Sequence, residues 1–251
     1  MESIKDCCMA AHTRVDGRRA WLKAGMGAGA VALVAGMGSA AKNAHAASWT
    51  QAERDALTPD RVIEMMKRGN SRFRAGKMHA QDFLAQKRSS APGQFPAAVI
   101  LSCIDSRSPA EIIFDMGIGD TFNARIAGNI ANNDLIGSLE FACAAAGAKV
   151  VLVMGHTACG AIKGAIDNVQ LGNLTGLLET IKPAVAATTY TGDRSSKNDA
   201  FVDAVARTNV QQTIDTIRRV SPILVDLEKK GQIRIVGSMY DLRNGVVTFL
   251  G

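Results

Sequence analysis

No stretch of this 251-residue sequence interleaves a Lys/Arg-rich run with aromatic side chains, so the usual footprint of a nucleic-acid-binding surface is missing. Internal repeats are missing too, and low complexity is confined to the N-terminus. Cysteine is scarce, with Cys7, Cys8, Cys103, Cys143 and Cys159 making up the whole supply. No segment makes a convincing membrane span, because the apolar run from Ala24 to Ala41 is diluted by glycine and alanine. What is there is ordinary globular material, 47% hydrophobic and 21% charged, and long enough for one large domain.

Residues 1–46 read as a cleavable export signal. The pair Arg18-Arg19 precedes Trp21, Leu22 and Lys23, then the apolar run, and Ala44-His45-Ala46 supplies an A-x-A pattern that predicts cleavage before Ala47. This stretch resembles a twin-arginine signal, with Trp where such signals usually carry Phe. The resemblance implies a periplasmic or secreted protein that leaves the cytoplasm already folded. An uncleaved amphiphilic tail is the plainer alternative. Without these residues the formal charge falls from +6 to +3, and Cys7 and Cys8 are lost. Three remaining cysteines make no disulfide framework, which turns attention to a metal.

Residues 47–97 are expected to form a helical arm and loop, and residues 98–251 an α/β core. Ser48 to Lys77 is polar and helical, with Val62, Met65, Met66 and Phe73 as its apolar positions and Pro59 near a first turn. Residues 86–97, rich in Ser, Pro and Gly, read as a loop. Ala98–Ser102 and Lys149–Gly155 are continuous apolar runs, the mark of strands buried on both faces. Thr121–Ala127, Ile233–Gly237 and the edge segment Val246–Leu250 complete the strands. Helices are predicted over Asp134–Ala146, 161–169, 173–187 and 198–219. Ser108-Pro109-Ala110-Glu111 predicts a capping box that opens a helix from Pro109 to about Met116. Strands alternating with helices imply a mostly parallel central sheet flanked by helices in one domain.

Two strand ends carry chemistry. The strand ending at Ser102 runs into Cys103-Ile104-Asp105-Ser106-Arg107, and the strand ending at Gly155 runs into His156-Thr157-Ala158-Cys159-Gly160. Ligands of open α/β sheets bind at the carboxyl ends of strands. If the two strands are neighbours, Cys103, His156 and Cys159 meet at one edge. Two thiolates and an imidazole suit tetrahedral Zn²⁺, and three protein ligands leave a fourth position open, as in catalytic zinc sites. Singly, each residue has a bland reading: a buried thiol, a helix-opening His, a turn Asp, an Arg paired with any carboxylate. Together they require two coincident loops. Cys143 fits the bland reading and is expected to be structural.

Cys-x-Asp-Ser-Arg, followed about fifty residues later by His-x-x-Cys, resembles the metal signature of the β-class carbonic anhydrases, as do EIIFDMGIGDTFNARIAGN and GHTACGAIKGA. The resemblance implies one zinc per chain on Cys103, His156 and Cys159, reversible hydration of carbon dioxide to bicarbonate, and an Asp105–Arg107 dyad. With Asp105 on Arg107 the fourth position is open, and with Asp105 on zinc it is closed. Backbone N–H groups near Gly160 are expected to stabilise developing anionic charge. By the same resemblance Gln94 and Phe122 line the pocket, while Phe141 stands where relatives carry Tyr and Ile100 where some carry a regulatory Trp. Ile104 replaces a smaller residue. Pocket residues shared between protomers imply a homodimer or higher oligomer. The alternatives are a carbonyl sulfide or carbon disulfide hydrolase on the same scaffold, a non-catalytic zinc protein, and a thiol redox sensor. The dyad speaks against the second, and the His-x-x-Cys spacing against the third.

Overall fold

The computed structural model describes residues 44–250. Its centre is a five-stranded sheet built from β1 (Ala98–Ser102), β2 (Thr121–Arg125), β3 (Val150–His156), β4 (Arg234–Tyr240) and β5 (Val247–Leu250), in the order β2-β1-β3-β4-β5. The first four run parallel, and β5 pairs antiparallel with β4 as an edge strand. Every residue of β1 and β3 is buried, which is why their sequences are continuously apolar rather than alternating. The mostly parallel α/β architecture is the one expected.

Alternation along these strands divides the core in two. Val99, Leu101, Cys103, Val151 and Val153 point to one layer, and Ala98, Ile100, Val150, Leu152 and Met154 to the other. The arm helices α1 (Gln51–Asp55) and α2 (Pro59–Arg74), with α3 (Phe83–Ser90), precede the sheet, and Val62, Ile63 and Met66 of α2 pack into the second layer. After β1 comes α4 (Ala110–Ile113), and after β2 comes α5 (Asn133–Glu140), extended by a wide turn over Phe141–Ala145. The helices α6 (Gly160–Ile166), α7 (Gly172–Glu179), α8 (Lys182–Ala187), α9 (Asp199–Val220) and α10 (Pro222–Lys229) lie between β3 and β4. The 22-residue α9 is the main support of the first layer, through Phe201, Val202, Val205, Val210, Ile214 and Ile217. It approaches closely enough that a Cβ on Gly155 would lie 2.7 Å from Val210 Cγ2.

Several expectations are corrected. The Ser48–Lys77 stretch is two helices, because Thr50 with Glu53 and Thr58 with Pro59 each supply a separate start. Residues 86–97 are not all loop: Asp82 caps Ala85 N–H and starts α3, which continues to Ser90. No capping box forms at Ser108. Its hydroxyl donates to the Asp105 carbonyl at 3.1 Å, Pro109 is the cap residue without a side-chain bond, and the helix spans only Ala110–Ile113. It stops early because Asp115 turns to φ 51° to bring its buried carboxylate to Arg72, 2.5 Å away. The 173–187 helix divides into α7 and α8, and α10 is a helix where the sequence pattern predicts none.

Candidate metal centre

The parallel register sets Ser102 of β1 opposite Met154 of β3, so Cys103 and His156 leave the same edge of adjacent strands. Cys159 follows three residues later as the residue capping α6. The ligating atoms of Cys103, His156 and Cys159 lie within 4.8 Å of one another, and all three residues are buried. Cys103 Sγ and Cys159 Sγ are 4.0 Å apart. Two thiolates on one tetrahedral zinc, each at about 2.3 Å, stand about 3.8 Å apart.

His156 supplies the deciding fit. Its Nδ1 lies 2.9 Å from the Thr157 carbonyl, which can only accept, so Nδ1 carries the proton. That leaves Nε2 with a free lone pair, buried and without a hydrogen-bond partner. An unpartnered acceptor beside two thiols is costly in a protein interior unless a cation takes it. The donor set fits zinc: two soft sulfurs and one imidazole, with one position left over.

The electrostatics agree. The Cys159 thiol, hydrogen-bonded to Cys103, pulls the Cys103 thiol down to about 4, with His156 and the Gly128 N–H adding to the effect against burial. The same pairing, with burial, pushes Cys159 up. Burial alone would lower His156, but Cys103, the Thr157 carbonyl and Asp105 raise it overall. Without metal the centre therefore holds protons that a cation must displace, which makes binding pH-dependent. Cys143 is different: it lies in the wide turn after α5, and burial pushes it up to about 12, as suits an inert core thiol.

Asp105 faces the centre with its Oδ2 3.8 Å from His156 Nε2. Arg107 grips the same carboxylate in fork geometry, Nε to Oδ1 at 2.9 Å and Nη2 to Oδ2 at 2.7 Å, with its backbone N–H a third donor at 2.9 Å. That grip holds Asp105 down to about 2. The arrangement is the one in which Asp105 sits on Arg107.

Phe122 and Phe141 meet edge to face, with ring centroids 6.0 Å apart. Gln94 lies on the exposed segment before β1, and among the described residues no hydrogen bond ties it to the centre. Gly160 opens α6 with open space where a Cβ would be. Ile100 is fully buried in the layer opposite Cys103, and Ile104 is exposed.

Sequence reasoning missed three supports. Arg125, the last residue of β2, donates to the Cys103 carbonyl at 2.9 Å and to the Asp105 carbonyl at 2.6 Å, clasping the whole loop. No sequence signal marks it, because only the parallel register of β2 on β1 sets Arg125 opposite Ser102. Gly128, at φ 69°, turns its N–H to Cys103 Sγ at 3.4 Å. Ala158, between two candidate ligands, stands at φ 52°, and its N–H donates to Asp203 Oδ1 at 2.9 Å. A left-handed alanine costs about 1–2 kcal/mol, so something must hold it there.

The family model for carbonic anhydrase matches residues 98–247, from the first residue of β1 to the first of β5. This chain belongs to the β-carbonic anhydrase family. It is 34% identical over 189 residues to carbonic anhydrase 2 of Mycobacterium tuberculosis, covering 74% of this chain and 90% of that protein. It is 32% identical over 191 residues to the carbonic anhydrase of Mycolicibacterium smegmatis, covering 75% and 92%. Among solved structures, a tetrameric β-carbonic anhydrase of Sordaria macrospora superposes with TM-score 0.57 at 26% identity, covering 64% of this chain and 83% of that one. The enzyme class is thereby that of a carbonic anhydrase, with the Cys103, His156 and Cys159 cluster as its metal-binding candidate.

Proposed function

We propose that this β-carbonic anhydrase interconverts carbon dioxide and bicarbonate with one zinc per chain, held by Cys103, His156 and Cys159. The observation that carries the reading is the buried, unpartnered His156 Nε2 facing two thiols, with the Asp105 carboxylate 3.8 Å away. Zinc, when bound, is a Lewis acid that makes water nucleophilic at neutral pH. The chain does the rest. Asp105, kept ionised by Arg107, is a hydrogen-bond acceptor at the centre's edge and orients what binds there. By the family resemblance Phe122 and Phe141 line the substrate pocket, and the two rings meet edge to face. Stopped-flow hydration of carbon dioxide by zinc-analysed protein tests the proposal. A rate no higher than that of the Cys159→Ser variant would end it.

Assembly and location belong to the same proposal. Phe83, Leu84, Ile112 and Ile118 are large apolar side chains left exposed on the single chain, which favours a homodimer or higher oligomer. The Sordaria macrospora relative is tetrameric by its description. Export through Arg18-Arg19 accounts for the N-terminal pattern, most of which lies outside the described residues. Among the described residues no helix is long and apolar enough to cross a membrane.

A further inference from the structure

Two backbone segments at the metal centre rest on α9 through polar side chains: the 127–129 turn, whose Gly128 N–H meets Cys103 Sγ, and the 156–159 loop. Asn209 Nδ2 donates to the Gly128 carbonyl at 2.7 Å, and Thr213 Oγ1 to the Asn129 carbonyl at 3.3 Å, below the Cys103 side. On the other side, among the described residues, Asp203 is the side chain of this helix that hydrogen-bonds the His156–Cys159 loop. The loop needs a hold from that direction. Thr157 is tied to the sheet, its N–H to the Tyr240 carbonyl at 2.9 Å and its hydroxyl accepting from Leu242 N–H at 3.0 Å. Ala158 is past the sheet and ahead of α6, so neither ladder satisfies its N–H, and its φ of 52° is one that alanine avoids.

We infer that Asp203 is a positioning residue for the metal centre: by accepting the Ala158 N–H it holds this alanine left-handed, and thereby sets Cys159 Sγ at the distance from His156 Nε2 that a single cation requires. Asp203 touches neither ligand. It borders a cavity of about 270 Å³ with Arg107, Asp199, Asp241 and Arg243, but its bond to Ala158 N–H aims one oxygen at the loop rather than at that space. Outer partners of this kind orient ligands, and their loss typically weakens metal binding about 10–100-fold. The inference rests on Cys103, His156 and Cys159 being the ligands.

The test is a zinc dissociation constant, measured by competition with a chromophoric chelator, beside the visible spectrum of the cobalt-substituted protein. Asp203→Ala should bind zinc about 10–100-fold more weakly and show altered cobalt bands. Asp203→Asn keeps an acceptor oxygen and should stay near the parent in both measurements. Ala158→Gly placed in the Asp203→Ala background should recover most of the loss, because glycine holds a positive φ without steric cost. Native affinity and native cobalt bands in Asp203→Ala would overturn the inference. So would Asp203→Asn falling as far as Asp203→Ala, since charge and not the hydrogen bond would then be at work. Should Asp203→Ala fail to fold by circular dichroism, the Asn variant and the Gly double variant still decide, because both are required to fold and bind. Full zinc in Cys159→Ser would instead strike the ligand assignment, leaving the two failures distinguishable.

Discussion

Cys103, His156 and Cys159 each offer one candidate donor atom, so on the proposed reading each deletion should empty the site. Cys103→Ser, His156→Ala and Cys159→Ser are expected to retain little zinc by elemental analysis, whereas Cys143→Ser retains a full complement. Arg107→Ala tests the dyad separately. The Arg107 hydrogen bonds hold Asp105 down to about 2, below an unfolded value of about 3.9. A depressed carboxylate contributes stability that is present above the unfolded pKa and lost as pH falls through the folded one, here between about 4 and 2. In the zinc-free protein, removing Arg107 should move the Asp105 titration upward, read by carbon NMR of the carboxylate, and shrink the acid-labile part of the stability. Zinc should stay while hydration of carbon dioxide falls steeply. An unmoved Asp105 titration with near-parent turnover would show that Arg107 does not govern the carboxylate.

At the scale of elements, the centre depends on how closely α9 lies against β3. Gly155 immediately precedes His156, and a Cβ there would meet Val210 Cγ2 at 2.7 Å and Met239 Sδ at 2.8 Å. Met239 can swing aside, but Val210 is branched at Cβ and fully buried. Gly155→Ala should therefore destabilise the fold by about 1–3 kcal/mol, the usual cost of overpacking, measured by urea unfolding. It should also lower zinc affinity, because relief of the clash displaces the strand end that carries His156. A variant of parent stability and parent zinc affinity would mean that α9 yields without disturbing the sheet edge. Asn209→Leu probes the other loop: it leaves the Gly128 carbonyl buried without its donor, at a cost of about 1–3 kcal/mol.

For the whole molecule, the expected mass in solution is that of a dimer or larger, measured by light scattering. A stable monomer at micromolar concentration would leave the exposed Ile112 and Ile118 without a partner. Export is expected to stop when Arg18→Lys and Arg19→Lys are combined, with the uncleaved precursor held in the cytoplasm; normal yield outside the inner membrane would refute the twin-arginine reading. Mass spectrometry of the exported protein should place its N-terminus at Ala47. Cleavage there also removes His45, whose N–H donates to the Ala80 carbonyl at 2.7 Å and whose carbonyl accepts from Asp82 N–H at 3.1 Å. The mature protein should accordingly be looser around 80–86 than the precursor, visible as faster amide exchange at Asp82.

The amino-acid sequence by itself determined the strands, because β1 and β3 are buried on both faces and only unbroken apolar runs tolerate that. It also determined the candidate donor set, since the chemistry of Cys103, His156 and Cys159 is carried in two short loops whose place at strand ends is a local matter. The carboxylate and guanidinium of Asp105 and Arg107 are two residues apart, so their pairing was legible as well. Local signals failed where a distant partner decided. The helix after Pro109 ends at Ile113 because Asp115 turns to meet Arg72, 43 residues away in the chain, and no capping pattern records that. Arg125, Asn209 and Asp203 look like ordinary polar residues of a strand end and a long helix. Only the packing of β2 beside β1, and of α9 across the sheet, brings them onto backbone groups of the metal loops that have no partner in any strand or helix. Ligand identity is a property of side-chain chemistry, whereas ligand spacing is set by hydrogen bonds spanning tens of residues, and those exist only once the layers have assembled.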